Sequence, residues 1–191
     1  MQRAVPVGQG AMAALLGAEI AQAEALCKEA SSASEVAAVA NDNAPGQVVI
    51  SGHKAAIDRA AELVKAHGIK RAMMLPVSAP FHSPLMAPAA REMEEKLARV
   101  TLNAPSLPVI ANVTVRPVID PVEIKQLLVE QVTGRVRWRE TIESLPGLGV
   151  TKAVEAGAGK VLTGMAKRIT KDVEPLSLET PDEIEAFLKS V

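Results

Sequence analysis

The chain's chemistry turns on one histidine. His82 stands in the stretch Leu75-Pro76-Val77-Ser78-Ala79-Pro80-Phe81-His82-Ser83-Pro84-Leu85-Met86, among the three prolines Pro76, Pro80 and Pro84. Proline fixes φ and lacks a backbone donor, so this segment reads as stiff and as neither helix nor sheet. The apolar run from Ala72 to Val77 that leads into it reads as a buried strand. Imidazole is the side chain suited to move protons near neutral pH, and a stiff loop at the end of a strand can hold such a ring still. The plain alternative is a loop histidine with no task. Nothing in the segment itself chooses between the two.

Other polar residues invite weaker readings. Asn41 and Asn43 fall in the cluster Asn41-Asp42-Asn43-Ala44-Pro45-Gly46, where turn formation accounts for them as well as substrate contact does. Asn112 lies amid strand-like residues, and a buried amide needs partners. Gln131, near a helix end, is ordinary on its own. His53 follows Gly52 at a helix start and His67 closes that helix, so both read as structural or exposed. No pair of His, Cys, Asp or Glu has metal-ligand spacing, and no metal is expected. Gly157-Ala158-Gly159-Lys160 suggests a phosphate loop but fits neither template. Leu162 stands where the dinucleotide fingerprint needs glycine, and Val161 where the P-loop needs Ser or Thr. A tight strand-to-helix turn is the simpler account.

The elements that must position these residues follow from pattern. Of 191 residues 48% are hydrophobic, enough to fill a core, and only 2% are aromatic, so Ala, Val, Leu, Ile and Met must build it. A net charge of −1 without a basic stretch argues against nucleic acid binding. The apolar runs are too short to span a membrane, and the start shows no signal-peptide pattern. The lone Cys27 cannot form an internal disulfide, which fits a reducing cytoplasm.

After a helix-tail-like start at residues 1–9, strand patterns at Ala11–Leu16, Val36–Ala40, Gln47–Ser51 and Lys70–Val77 are separated by helical patterns at Ala18–Ala33 and Lys54–His67. The order β-α-β-β-α-β over residues 10–77 is the ferredoxin-like unit, predicted as a four-stranded antiparallel sheet with two helices on one face. Beyond the His82 loop, Pro88 opens a helix whose buried stripe is Ala89, Met93, Leu97 and Val100. A strand at Leu107–Val115 comes next, then helices at Pro121–Val132 and Val136–Leu145. A strand at Val150–Glu155, a helix at Val161–Ile169, a strand at Val173–Leu178 and a helix at Asp182–Lys189 complete the chain. Residues 78–191 thus alternate α and β with the look of a parallel sheet.

Taken together, these segments resemble one family, the malonyl-CoA:acyl carrier protein transacylases. Gly10-Ala11-Met12-Ala13-Ala14-Leu15-Leu16-Gly17 and Asn43-Ala44-Pro45-Gly46-Gln47-Val48-Val49-Ile50-Ser51-Gly52 resemble the family's small subdomain. Pro76 to Met86 resembles the segment with its catalytic histidine, and Gln131-Val132 ahead of Val136-Arg137-Trp138 the helix end whose glutamine carbonyl orients that histidine. Glu155-Ala156-Gly157-Ala158-Gly159-Lys160-Val161-Leu162-Thr163-Gly164 resembles its closing strand-turn-helix.

The resemblance implies an α/β fold: a ferredoxin-like subdomain at 10–77, preceded by a remnant at 1–9 and followed by the C-terminal part of an α/β-hydrolase-like acyltransferase core at 78–191. It implies transfer of malonyl from coenzyme A to the phosphopantetheine thiol carried by acyl carrier protein, with no resident cofactor. His82 would be the general acid/base, the Gln131 carbonyl its orienting partner, and Asn43 and Asn112 the cleft wall. The family's Gly-His-Ser-x-Gly elbow does not occur in these 191 residues, nor does its early Gly-Gln-Gly-Ser segment. Ser78 and Ser83 flank His82 but sit on no such elbow. The expectation is therefore a chain inactive by itself. Two alternatives stand beside it: a non-catalytic module that binds a carrier protein, and the complementing half of a split acyltransferase.

Overall fold

The computed structural model describes residues 1–77 and 79–190. It divides into two compact units, Met1–Trp138 and Arg139–Val191.

The first unit opens with a single 3-10 turn, Gln2–Ala4, and then builds the antiparallel sheet. Its strands are β1 (Gly10–Leu16), β2 (Ala37–Ala44), β3 (Gln47–His53) and β4 (Arg71–Met74), in the order β2-β3-β1-β4. Helices α1 (Ile20–Ala30) and α2 (Lys54–Leu63) connect β1 to β2 and β3 to β4. In β1, Ala11, Ala13 and Leu15 point to one face and pack with Val48 and Ile50 of β3 against Leu26 and Ala30 of α1 and Ile57 and Ala60 of α2. Period-two alternation against a helical stripe puts all of these in one core. The other face of the sheet carries Met12, Ala40 and Val49, and here Leu75 and Phe81 pack against it. The segment before His82 therefore folds back over the sheet face that the helices leave open.

The sheet is tied at β2 and at the start of β1 to segments far along the chain. Strand β2 is bulged, its register slipping between Val39 and Asn41 and again between Asp42 and Ala44. Along its outer side Val136 pairs with it in parallel, the Val136 N–H donating to Ala40 O at 2.7 Å and the Asp42 N–H to Val136 O at 2.8 Å. On β1, Gly10 lies so close to Pro80 that an added Cβ would meet the ring's Cδ at 2.4 Å.

Several expectations need correction. The run from Lys70 to Val77 is not a long buried strand. β4 covers only Arg71–Met74, with Met73 and Met74 exposed, because it is an edge strand and Pro76 cannot extend the ladder. The segment after His82 is partly helical: Pro84 heads a 3-10 turn, Pro84–Met86, where a missing N–H costs nothing. This turn runs into α3 (Ala87–Ala98). Of the stripe assigned to α3 only Ala89 is buried: Met93 is exposed, Leu97 lines an open groove with Lys125 and Val129 of the next helix, and Val100 lies exposed beyond the helix end. The strand at Leu107–Val115 shrinks to β5 (Val109–Ala111), which turns at Asn112 and pairs antiparallel with β6 (Arg116–Val118). The turn closes with the Val115 N–H on Ala111 O at 2.8 Å. Asp120 then caps α4 (Pro121–Glu130), its carboxylate accepting the Val122 N–H at 3.0 Å. Val136, expected in a helix, is the extended residue on β2, and α5 begins only at Trp138 (Trp138–Ser144).

The second unit holds β7 (Lys152–Ala156), α6 (Val161–Ile169), β8 (Glu174–Leu178) and α7 (Pro181–Leu188). β7 and β8 pair in parallel, Val154 opposite Leu176. The connection between them runs through α6, as a parallel pair requires. Among the described residues no helix is long and apolar enough to cross a membrane.

Candidate active site

The site grows from the backbone around His82. The Ser83 hydroxyl, fully buried, donates to Pro80 O at 2.7 Å, and the Met86 N–H donates to Ser83 O at 3.0 Å, closing the loop on both sides of the histidine. Phe81 anchors the preceding position, touching both the open sheet face and a second cluster formed by Met86, Ala89 and Val132. His82 itself has a φ of 55°, in the left-handed region that non-glycine residues seldom occupy. Held this way, the half-buried residue brings its ring to the end of α4.

There Nδ1 lies 3.1 Å from Gln131 O and 3.0 Å from Gly134 O. Carbonyl oxygens only accept, so the nitrogen between them must carry the proton. In the neutral ring Nε2 is then unprotonated, its lone pair free to take a proton from another group. Gln131 is the C-cap residue of α4, and its carbonyl is one of those that a helix end leaves without an intrahelical partner. The chain continues with the Gly134 N–H on Glu130 O at 3.0 Å. A side chain at 134 would crowd Val113 Cγ1 at 3.0 Å and Glu130 O at 3.2 Å, which explains the glycine.

The other candidates are placed differently. Asn112 donates from Nδ2 to Arg135 O at 2.9 Å and accepts the Arg137 N–H on Oδ1 at 2.9 Å, so both ends of its amide engage the backbone just beyond Gly134. Asn43 sits half-buried at the second bulge of β2, and among the described residues no hydrogen bond joins it to His82, Gln131 or Asn112. His53 and His67 serve the fold: His53 Nδ1 accepts the Val36 N–H at 2.9 Å, and His67 Nε2 lies 2.9 Å from Glu29 Oε2. Ser78 lies outside the described residues. Cys27 is buried, its thiol pushed up to about 12 by burial and secondarily by Glu24, which leaves it inert as a nucleophile. The Gly157-Ala158-Gly159 turn carries a carboxylate of its own. Glu155 accepts the Thr163 N–H at 2.7 Å and the Leu162 N–H at 3.1 Å, filling the start of α6. Hydrogen bonding, from the Thr163 N–H above all, holds Glu155 below the usual carboxylate range.

Sequence reasoning did not single out Gly134 or the Gly10–Pro80 contact, and it gave Val136 no part in the sheet. A glycine shortly after a helical pattern is a C-terminal signal that could have drawn attention to Gly134. A backbone carbonyl, however, leaves no side-chain mark of the ring it accepts from.

The model of the acyl transferase domain family matches residues 1–180, and the chain belongs to that family. It is 44% identical over 189 residues to the malonyl CoA-acyl carrier protein transacylase of Escherichia coli (strain K12), covering 99% of this chain and 61% of that protein. The acyl-carrier-protein S-malonyltransferase of Bartonella henselae superposes with a TM-score of 0.94 at 51% identity, over 99% of this chain and 60% of that one. A malonyl-transacylase solved in complex with the holo acyl carrier protein of a type II polyketide synthase superposes with a TM-score of 0.94 at 37% identity, over 100% of this chain and 61% of that one. The chain thus spans about three fifths of the length of these relatives.

Proposed function

We propose that this chain carries the general acid/base of a malonyl transfer, from the thioester of malonyl-CoA to the phosphopantetheine thiol of an acyl carrier protein, in cytoplasmic fatty acid or polyketide biosynthesis. The observation that carries the reading is the His82 ring, with Nδ1–H divided between the Gln131 and Gly134 carbonyls and Nε2 left as the base. The relatives' names support the choice of substrates, and the relative solved with a holo carrier protein supports the choice of acceptor. No resident cofactor is needed, because the thioester supplies the activated acyl group.

The chemistry runs in two halves. Nε2 takes the proton of a seryl hydroxyl as its oxygen bonds to the malonyl carbonyl carbon. The C–S bond then breaks and the imidazolium returns the proton to the departing coenzyme A sulfur. In the second half Nε2 takes the proton of the carrier's thiol, the sulfur attacks the seryl ester, and the proton goes back to the serine. The two carbonyls hold the ring's orientation and face the positive charge it gains at each step. The serine belongs to a Gly-His-Ser-x-Gly elbow, which these 191 residues do not contain. In this reading residues 10–77 form the small subdomain and residues 78–191 belong to the acyltransferase core.

The test is to supply the chain with a polypeptide bearing that elbow and follow radiolabel from malonyl-CoA to holo carrier protein. Wild type should transfer, and His82→Ala should be slower by at least ~10²–10⁴-fold. Equal rates for the two would remove His82 from the mechanism.

A further inference from the structure

We infer that Asn112 is a positioning residue for His82, pinning the backbone beyond Gly134 so that the Gly134 and Gln131 carbonyls converge on Nδ1. The inference rests on the reading of His82 as the general acid/base. Its basis is how two successive peptide units are held. In the unit joining Arg135 to Val136, the carbonyl accepts from Asn112 Nδ2 at 2.9 Å and the N–H donates to Ala40 O at 2.7 Å. In the unit joining Val136 to Arg137, the N–H donates to Asn112 Oδ1 at 2.9 Å and the carbonyl accepts the Asp42 N–H at 2.8 Å. Each unit therefore has one polar group on β2 and the other on a single side-chain amide. Asn112 does for one edge of Val136 what a neighbouring strand does for the other. No shorter or purely accepting side chain offers a donor and an acceptor at this spacing.

The unit immediately upstream joins Gly134 to Arg135, and its carbonyl is the one 3.0 Å from His82 Nδ1. With both following units fixed, the direction of that carbonyl is fixed as well. Gln131 lies only three residues earlier, at the end of α4, so the two acceptors are set by one short strap with anchors at both ends. Releasing Asn112 leaves the β2 side in place but lets each peptide unit tilt about it. The expected effect is on which nitrogen of His82 carries the proton, because the Gly134 carbonyl is then free to turn away and the ring keeps only one of the two acceptors that together select Nδ1–H.

The chain holds three histidines, and the structure gives His53 the opposite tautomer, since its Nδ1 accepts the Val36 N–H. His53 is therefore an internal reference for an intact fold. Ring ¹⁵N shifts, recorded above the imidazole titration range, should show wild-type His82 as Nδ1–H and His53 as Nε2–H. Asn112→Ala should abolish the single Nδ1–H form of His82 and give a tautomer mixture, with His53 unchanged. Asn112→Asp keeps an acceptor for the Arg137 N–H but turns a second acceptor on Arg135 O, so the same loss is expected with the side-chain volume kept. It serves as the deciding variant if Asn112→Ala also disturbs His53. The inference is overturned if His82 stays wholly Nδ1–H in a folded Asn112 variant, or if wild-type His82 is Nε2–H. The readout does not depend on acyl transfer. A tautomer shift with no His82-dependent transfer would sink the functional reading and leave the clamp. An unmoved tautomer with His82-dependent transfer would do the reverse.

Discussion

At the scale of single residues, the site rests on backbone carbonyls rather than on side chains. His82 Nδ1 meets the carbonyls of Gln131 and Gly134, and nothing in that geometry uses the Gln131 amide. Gln131→Ala should therefore shift stability by no more than ~0.5 kcal/mol and change transfer by about twofold at most. Thermal melts and the complemented transfer assay check this, and a large loss of transfer would mean that the glutamine side chain touches substrate. This is also where the sequence was least legible. A histidine among prolines is visible as a candidate, but its acceptors are peptide oxygens that any residue could provide. Gln131 was reached only through resemblance, and Gly134 not at all.

At the scale of elements, legibility depended on how local the determining interactions are. The β-α-β-β-α-β order could be read because alternation, helical spacing and the Asn41–Gly46 turn cluster are written within short windows, and the first unit's sheet is the four-stranded antiparallel one, in the order β2-β3-β1-β4. Some misreadings concern segments fixed by distant partners and others follow from local turns. β4 is shortened by its place at the edge, Val136 is drawn out of a helix by β2, and β5 ends where the Asn112 turn begins.

The contact between Gly10 and Pro80 joins the first strand to the histidine loop and gives an element-scale prediction. Gly10→Ala places a methyl 2.4 Å from the proline ring, so the loop or the strand must move. Overpacking of this kind costs ~1–3 kcal/mol, and denaturant melts should show it together with a changed His82 ring resonance. Unchanged melts would mean that the loop yields freely. A second prediction concerns α6. Glu155 is held below the 4.5 of an ordinary glutamate by the N–H groups at the helix start, Thr163 first. A carboxyl depressed in the folded state contributes stability above its unfolded value, and that contribution is lost as pH falls through the folded value. The gap in denaturant midpoint between wild type and Glu155→Gln should accordingly be present at neutral pH and shrink as pH falls well below 4.5. A gap independent of pH would assign the effect to packing.

At the scale of the whole molecule, the proposed function makes the chain one side of a two-part reaction centre. In that reading its contribution is His82 as the base, and the chain spans about three fifths of the length of its relatives. Within the chain itself the obvious candidates do not fit the nucleophile's task. Ser83 is buried and bonded to Pro80 O, Cys27 is buried with its thiol pushed up to about 12, and no Gly-x-Ser-x-Gly elbow occurs in the sequence. In a triad enzyme, loss of the serine alone costs roughly 10⁶-fold in turnover. The most direct measurement is to incubate the purified 191-residue chain with radiolabelled malonyl-CoA and holo carrier protein, and to search the denatured chain for a covalent malonyl group by mass spectrometry. The expected result is no adduct and no transfer from the chain alone, with transfer appearing when the elbow-bearing polypeptide is added and disappearing again with His82→Ala. A malonyl ester on any serine of this chain, formed without the added polypeptide and lost with His82→Ala, would contradict it.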